Sequence, residues 1–371
     1  MRRDLGRTLR TIASGLSLSV WAVAFLCYWL RPDTFAIVTM YPAWVWFAAG
    51  SVLAIASFGR GRTRPAALAV ILWLSYMAVF VEEPASMLRS GRWPSDDWAA
   101  ARARGEGLRV VSLNCMGGSV LAAREAWNYD PDIVLLQESP PLQQLRQVAA
   151  ELLGERASIV SGPDTAIVAR GNVSTVPLAR DLSMFATHAR VPTASGVEAE
   201  VIAIRLLPPT LCLDLLSVSC WQAQLANRQA RRAQAQLLAA HLASVPPGSP
   251  LILGGDFNAP AGDGAFRPLR PRLRDAFAAA GVGWGNTATN DLPLIRVDQI
   301  WVSPQWRVAA TVARQTQHSD HRVVISDLIL SGPRRPARPP VRAAARAGGK
   351  APPPALIHAP RPTRDALWLL R

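Results

Sequence analysis

The first eighty residues decide most of what this chain can become. Thr11 to Leu30 is twenty residues without a charge, Thr34 to Phe58 is twenty-five, and Ala66 to Val81 is sixteen. An uncharged apolar run of about twenty residues is long enough to cross a bilayer as a helix. A cleavable signal peptide would account only for the first run. Three in succession therefore predict a retained membrane anchor over residues 1–83, with transmembrane helices at about 11–30, 34–58 and 66–81. Trp21, Trp29, Trp44, Trp46 and Trp73 suit such an anchor, where indole rings near span ends sit at the headgroup level.

Basic residues orient the anchor. Arg2, Arg3, Arg7 and Arg10 precede the first run, and Arg60, Arg62 and Arg64 lie between the second and third. The first connection has only Arg31, offset by Asp33, and the third run is followed by Glu82-Glu83. The positive-inside rule puts the N-terminus and the second connection in the cytoplasm. Three crossings then carry residue 84 onward to the outer, periplasmic or extracellular, side of the plasma (inner) membrane. If the short third run stays on one side, that topology inverts.

The net charge of +14 is concentrated at the other end of the chain. From Gly332 to Arg371 there are eight Arg and one Lys against one Asp, so 9 − 1 = +8 lies in a Pro/Ala/Arg-rich tail. That composition predicts a solvated disordered tail over 331–371 and leaves the middle of the chain much nearer neutral. The overall charge is therefore no argument for a nucleic-acid groove in the folded part. The four cysteines form no CxxC pair, so neither a zinc site nor a disulfide framework is indicated.

Between residues 108 and 330 short apolar runs recur: LRVVSLNC, DIVLLQES, TAIVAR, VIAIRLL, LDLLSVSC, PLILGGDF, VDQIWVS and RVVISDLIL. Ala226 to Leu242 reads as an amphipathic helix with Leu237, Leu238 and Leu242 on one face. Many strands with a few long helices predict a layered α/β domain, preceded by a linker at 84–107. Polar residues gather at the ends of the runs: Asn114, Glu138, Asp256 with Asn258, Asp298, and Ser319-Asp320-His321. Asp256 and Asn258 are two apart on extended chain, so their side chains point the same way.

Each residue taken singly could be a solvated turn or strand end; together they match one chemistry. Hard divalent cations take oxygen ligands, which Glu138 and the neighbouring Asn114 supply. A water attacking phosphorus needs an acceptor, a role open to Asp256. Charge developing on phosphoryl oxygens needs donors, which Asn258 and a protonated His321 provide, with Asp298 holding that imidazole.

The ordered set LNCMGG, LLQES, GGDFNAP, RVDQIWVS and SDHRVV resembles the endonuclease/exonuclease/phosphatase superfamily over about residues 108–330. The resemblance implies a four-layered α/β sandwich, two mainly antiparallel sheets flanked by helices, and hydrolysis of phosphate esters with Mg²⁺ or Mn²⁺. It makes Glu138 the principal metal ligand with Asn114 and Asp320 close by. Asp256 would align the water, Asn258 would bind phosphate, and His321, oriented by Asp298, would stabilise the transition state. One departure stands out. Many members end the strand before the long helix with Asn-x-His, whose His helps protonate the leaving group. LDLLSVSCWQ offers Ser217 and Ser219 instead, with His188, His241 and His318 as possible substitutes.

The resulting expectation is a membrane-anchored, metal-dependent phosphodiesterase with a monomeric catalytic domain, acting on nucleic acid or a phospholipid headgroup. The alternative is a membrane-tethered binding protein that keeps the fold without turnover. For nuclease activity, Arg267, Arg270, Arg272 and Arg274 make a candidate basic loop. A transport component is the weakest class, because none of the three runs carries a charged residue.

Overall fold

A computed structural model of the protein describes residues 2–59, 63–89, 91, 93–154 and 157–331. The expected disordered tail, together with Arg60 and Arg62, lies outside the described residues.

The first apolar run lies within α1 (Arg2–Leu30), continued by a 3-10 turn at Asp33–Phe35 and by α2 (Ala36–Met40). The second run is broken rather than continuous. Proline cannot continue a helix from the preceding turn, and at Tyr41-Pro42 the chain bends by 75° before α3 (Ala43–Ala56). The third run, the shortest in sequence, fills α4 (Thr63–Phe80), which is long and apolar enough to span. Two helices therefore qualify as spans among the described residues, or three if the bent pair counts as one. With 14 residues α3 is only about 21 Å long at 1.5 Å per residue.

These helices pack as a bundle. Ser17 Oγ donates to Gly50 O at 3.0 Å, and Trp73 Nε1 donates to Ser17 Oγ at 3.1 Å. A Cβ on Gly50 would fall 1.9 Å from the Trp73 ring, so glycine is what lets the indole in. Tyr28 meets Tyr76 and Phe80. The contacts run 17 to 73 and 28 to 80 between α1 and α4, but 17 to 50 between α1 and α3, and Tyr28 Oη donates to Tyr41 O just ahead of α3. α4 is thus parallel to α1, α3 is antiparallel, and Leu30, Ala43 and Phe80 share one end.

That end packs on the α/β body. The stretch expected as a linker contains α5 (Glu83–Leu88) and α6 (Asp96–Ala103), and Trp98 of α6 is buried. Buried Arg296 donates from Nε and Nη2 to the two Glu82 oxygens, both at 2.8 Å, and also pairs with Asp275 at 2.6 Å. Buried Arg228 reaches Pro32 O and Ala36 O at 3.3 Å, bonds Thr39, and pairs with Asp263 at 3.1 Å. Removing one partner of a buried ion pair costs about 3–5 kcal/mol, so these arginines fasten the helices to the body.

The body is two six-stranded sheets. The first orders as β11 (Trp306–Arg314), β12 (Val323–Leu330), β1 (Gly107–Asn114), β2 (Ile133–Gln137), β4 (Thr165–Arg170), β3 (Ala157–Ser161). The second orders as β5 (Ser174–Thr175), β6 (Ala186–Pro192), β7 (Glu198–Arg205), β8 (Leu251–Asp256), β10 (Asp298–Val302), β9 (Arg274–Asp275). Among the strands of the described residues, β1/β2 and β7/β8 are the pairs that run parallel. Leu108, Val110, Leu135, Val201, Ile252 and Ile300 fill the space between the sheets. Outside the first sheet lie α7 (Val120–Glu125) and α8 (Leu142–Leu153), which contributes buried Leu145. Outside the second lie α9 (Arg180–Ser183) and α10 (Val218–Ser244), with Leu238 and Leu242 of α10 packed on Trp301 and Phe257, whereas α11 (Ala276–Ala280) packs against β11 and adds Ala276 to the core between the sheets. The expected four-layered sandwich is what the chain forms.

One expected strand is not a strand. LDLLSVSC becomes a loop and the first turn of α10, pinned by a disulfide between Cys212 and Cys220. Pro208-Pro209 stop β7 ahead of it, and the disulfide is one that cysteine spacing did not reveal. Cys27 and Cys115 remain free and buried.

Candidate active site

The parallel pairs β1/β2 and β7/β8 aim four strand ends at one edge of the sandwich, where β10 and β12 begin. In the antiparallel β8/β10 ladder Asp298 sits directly opposite Asp256. The glycines before Asp256 have a steric cause. A Cβ on Gly254 would fall 2.6 Å from Leu135 of the facing sheet, and one on Gly255, at φ 147°, would fall 1.9 Å from Ile204 O. No other residue lets β8 run this close to both neighbours.

Buried Asn114 bridges the sheets. Its Nδ2 donates to Glu138 Oε1 and to Asp256 Oδ2, each at 3.1 Å, while its Oδ1 accepts from Met116 N at 3.0 Å. Glu138 also accepts from Gly117 N at 2.6 Å and pairs with Arg205 Nη2 at 2.8 Å. Asp256 Oδ1 accepts from Asn258 N at 2.9 Å, and Asn258 Nδ2 donates to Leu206 O at 2.8 Å, leaving its second amide proton available. His321 Nδ1 lies 2.8 Å from Asp298 Oδ2. Asp298 is fully buried, and its Oδ1 has no hydrogen-bond partner among the described residues.

Three site residues, Met116, Glu138 and Asn258, hold left-handed backbone at φ 45°, 45° and 52°. Such conformations cost on the order of 1–3 kcal/mol each and persist where the surroundings impose them. The electrostatics are equally uneven. Burial, then the facing Asp298, pushes Asp256 up to about 7, against the pull of His321. Burial alone would lower His321, but Asp298, with Asp256 and Asp320 behind it, raises it to about 10. Burial tends to raise Glu138, yet hydrogen bonds from Gly117 and Asn114 and the charge of Arg205 hold it below the ordinary carboxylate value.

Six of the seven expected site residues thus converge: Asn114, Glu138, Asp256, Asn258, Asp298 and His321. Asp320 is exposed; its backbone carbonyl accepts from Asn290 N at 2.6 Å, and its carboxylate reaches the cluster only through its field on His321. Ser217 and Ser219 stand at the head of α10, bonded to each other at 2.8 Å and away from the site. The strand before the long helix is β7, and it ends on Arg205, which sequence reading passed over. Arg205 pairs with Asp164 at 2.9 Å as well as with Glu138. The signal was a charged residue closing VIAIR, hidden by the two leucines that follow. His188 and His241 face each other on the far flank, and exposed His318 lies 3.7 Å from Glu125.

The Asp256, Asp298 and His321 ligand atoms all lie within 4.8 Å of one another, a spacing a metal ion can bridge. An imidazole held as a cation has no lone pair to offer, however, so His321 acts as a donor here. Glu138 and Asp256, linked through Asn114, are the pair whose oxygens suit a hard cation.

A model of the Endonuclease/Exonuclease/phosphatase family matches residues 111–321. Among solved structures, the endonuclease/exonuclease/phosphatase from Bacteroides vulgatus is 17% identical with a TM-score of 0.49, covering 61% of this chain and 99% of its own. A mannosyl-6-phosphatase of Bacteroides thetaiotaomicron is 18% identical (TM-score 0.46), covering 60% of this chain and 100% of its own. TDP2 of D. rerio, complexed with a single-strand DNA product, is 17% identical (TM-score 0.44), covering 60% and 98%. Comparison with curated proteins gives no match.

Proposed function

Since the chain belongs to the endonuclease/exonuclease/phosphatase family, whose members are phosphoesterases, we propose that it is a membrane-anchored, divalent-metal-dependent phosphodiesterase. The observation that carries this reading is the convergence of Asp256, Asp298 and His321 with Glu138 through Asn114. Such groups cost folding energy to gather, and perturbed titration in a cleft marks functional sites.

Each residue has a task. Asp256, raised to about 7, is poised to orient a water and accept its proton near neutral pH. Asn258 has an amide proton free for a phosphoryl oxygen. His321, kept cationic by Asp298, places positive charge where the transition state becomes negative. Glu138 and Asp256, bridged by Asn114, would hold Mg²⁺ or Mn²⁺. The all-oxygen donor set of Glu138 and Asp256 fits a hard cation, with a carboxylate oxygen of Asp298 within 4.8 Å of one of Asp256. When bound, the ion supplies charge neutralisation at the phosphoryl group. Arg205 keeps a fixed charge at the end of β7 but is a poor proton donor, which favours substrates with a good leaving group.

Anchoring rests on α1 and α4, each apolar and long enough to cross. With α3 as a third, antiparallel pass, the body lies on the side opposite the N-terminus. The disulfide Cys212–Cys220 supports that outer placement, because disulfides persist in oxidising compartments. The substrate class is a phosphodiester, in nucleic acid or a phospholipid headgroup.

The test uses the full chain in detergent, since the helices are packed into the body. It should hydrolyse bis(p-nitrophenyl) phosphate with Mg²⁺ or Mn²⁺ and lose that activity in EDTA. Turnover indifferent to chelation would remove the metal from the mechanism. No turnover under any condition would leave the binding-protein reading.

A further inference from the structure

Of the four arginines in the basic loop, two are consumed by the fold. Arg272 donates to Leu242 O at 2.9 Å, closing the C-terminus of α10, and Arg274 donates to Trp306 O at 2.6 Å. Arg267 and Arg270 turn the other way, toward the anchor. There they meet Arg31, the residue immediately after α1.

The three border a cavity of about 260 Å³ whose other walls are Tyr28, Trp29, Val79 and Phe80. Those four residues form the last turns of α1 and α4, the two helices apolar enough to span. A larger cavity of about 710 Å³ shares Tyr28, Arg31, Val79, Phe80 and Arg270 with it.

Like charges do not gather without cause. Among the described residues none of the three guanidiniums has a carboxylate within ion-pair distance. Arg31 Nε donates to Tyr28 O at 2.9 Å, Arg267 bonds Leu30 O, and the Arg270 side chain has no hydrogen-bond partner among the described residues. The nearest acids are committed elsewhere, Asp263 to Arg228 and Asp33 to Arg232. Arg31 is also held in left-handed backbone at φ 50°, and its guanidinium lies against Gly262, where a Cβ would fall 2.3 Å from Nη1. Burial, and then the Arg270 charge, lowers Arg31 to about 10. A half-buried cation is thus crowded by a second, with a third beside it, and the opposing charge of Asp263 is already paired with Arg228.

We propose that this cavity binds the phosphate group of an anionic phospholipid, in the leaflet reached by the ends of α1 and α4. The lipid source follows from what surrounds the arginines. Trp29, Leu30 and Val79 are 62%, 55% and 55% exposed on the outer surface of the helices, a wall that suits an acyl chain. Basic pockets between membrane helices select anionic headgroups on the same physical basis. The inference rests on the membrane-anchored reading and concerns a site separate from the catalytic cluster.

The experiment takes the full chain in detergent, wild type and Arg267→Gln/Arg270→Gln. Each is given phosphatidylglycerol, a diacylglycerol with the same chains, or inorganic phosphate. Retained lipid is read by native mass spectrometry and melting temperature is recorded for every pairing. Phosphatidylglycerol should be retained by the wild type roughly tenfold better than diacylglycerol, and should raise its melting temperature. The double variant should lose both effects while hydrolysing bis(p-nitrophenyl) phosphate at the wild-type rate. Equal phosphatidylglycerol retention by the two proteins overturns the proposal. An arginine-dependent shift from inorganic phosphate as large as that from lipid overturns the lipid source and leaves a soluble phosphate as occupant. Alkaline extraction of membranes separates the two readings. Wild-type protein released to the supernatant defeats the anchor, whereas protein kept in the pellet without lipid selectivity defeats only this site.

Discussion

Among the described residues of the α/β body two histidines meet a carboxylate at 2.8 Å, and they behave in opposite ways. At the strand ends His321 faces Asp298, with Asp256 behind, and is raised to about 10. On the flank His188 faces Glu200, but Arg190 shares that carboxylate and His241 lies against Nδ1 at 2.9 Å. There burial wins, and His188 is lowered to about 4. A histidine beside an acid is therefore not a signature of catalysis. What separates the two is the second, uncompensated acid, the strained backbone and the open edge at His321, against a sealed site under α10.

The contrast is broken or sharpened by four measurements. The largest effect belongs to Asp256→Ala, expected to reduce turnover of bis(p-nitrophenyl) phosphate about 10³-fold. Its melting temperature should be unchanged or slightly higher, since the substitution removes a buried carboxylate facing Asp298. Collapse of the fold would make Asp256 structural. Next, His321→Gln should lose about 10²-fold in rate, while His188→Gln stays within about threefold of wild type. Comparable losses in the two variants would erase the distinction drawn here.

Stability supplies the third. His188 binds its proton less tightly when folded, about 4 against an ordinary 6.5. Its contribution is complete above 6.5 and is lost as pH falls toward 4, about 3 kcal/mol over the window. His321 is the reverse: its contribution is complete below 6.5 and fades as pH rises toward 10. Melting temperatures of metal-stripped protein across pH should show His188→Gln flattening the acid limb and His321→Gln the alkaline one. The smallest effect is the loss of melting temperature in His188→Gln at neutral pH, a few degrees for one buried hydrogen-bonded pair. No loss would mean the flank cluster does not brace α10.

Much of the site was legible because strands end where chemistry begins. Asn114, Glu138, Asp256 and Asp298 each close or open an apolar run, and order along the chain identified the set. Arg205 was not legible, since nothing in VIAIRLL marks where the strand stops until Pro208-Pro209 are weighed. LDLLSVSC misled for a related reason: its leucines face a disulfide-closed loop, with Leu211 and Leu216 exposed, rather than a sheet. Pro42 bends the second apolar run by 75°, a break that uncharged composition conceals. The cavity of Arg31, Arg267 and Arg270 joins residues more than two hundred positions apart, which no local pattern encodes.

The place of β12 carries a consequence for how the protein is made. It pairs with β1 in the interior of its sheet, between the first strand of the body and β11, and His321 stands just ahead of it. A growing chain holds Asn114, Glu138 and Asp256 long before it has the strand that completes their neighbourhood. An unfinished or stalled product therefore lacks part of the cluster, which is completed only with the final segment of the body. Strand order alone keeps the cluster incomplete until β12 is made.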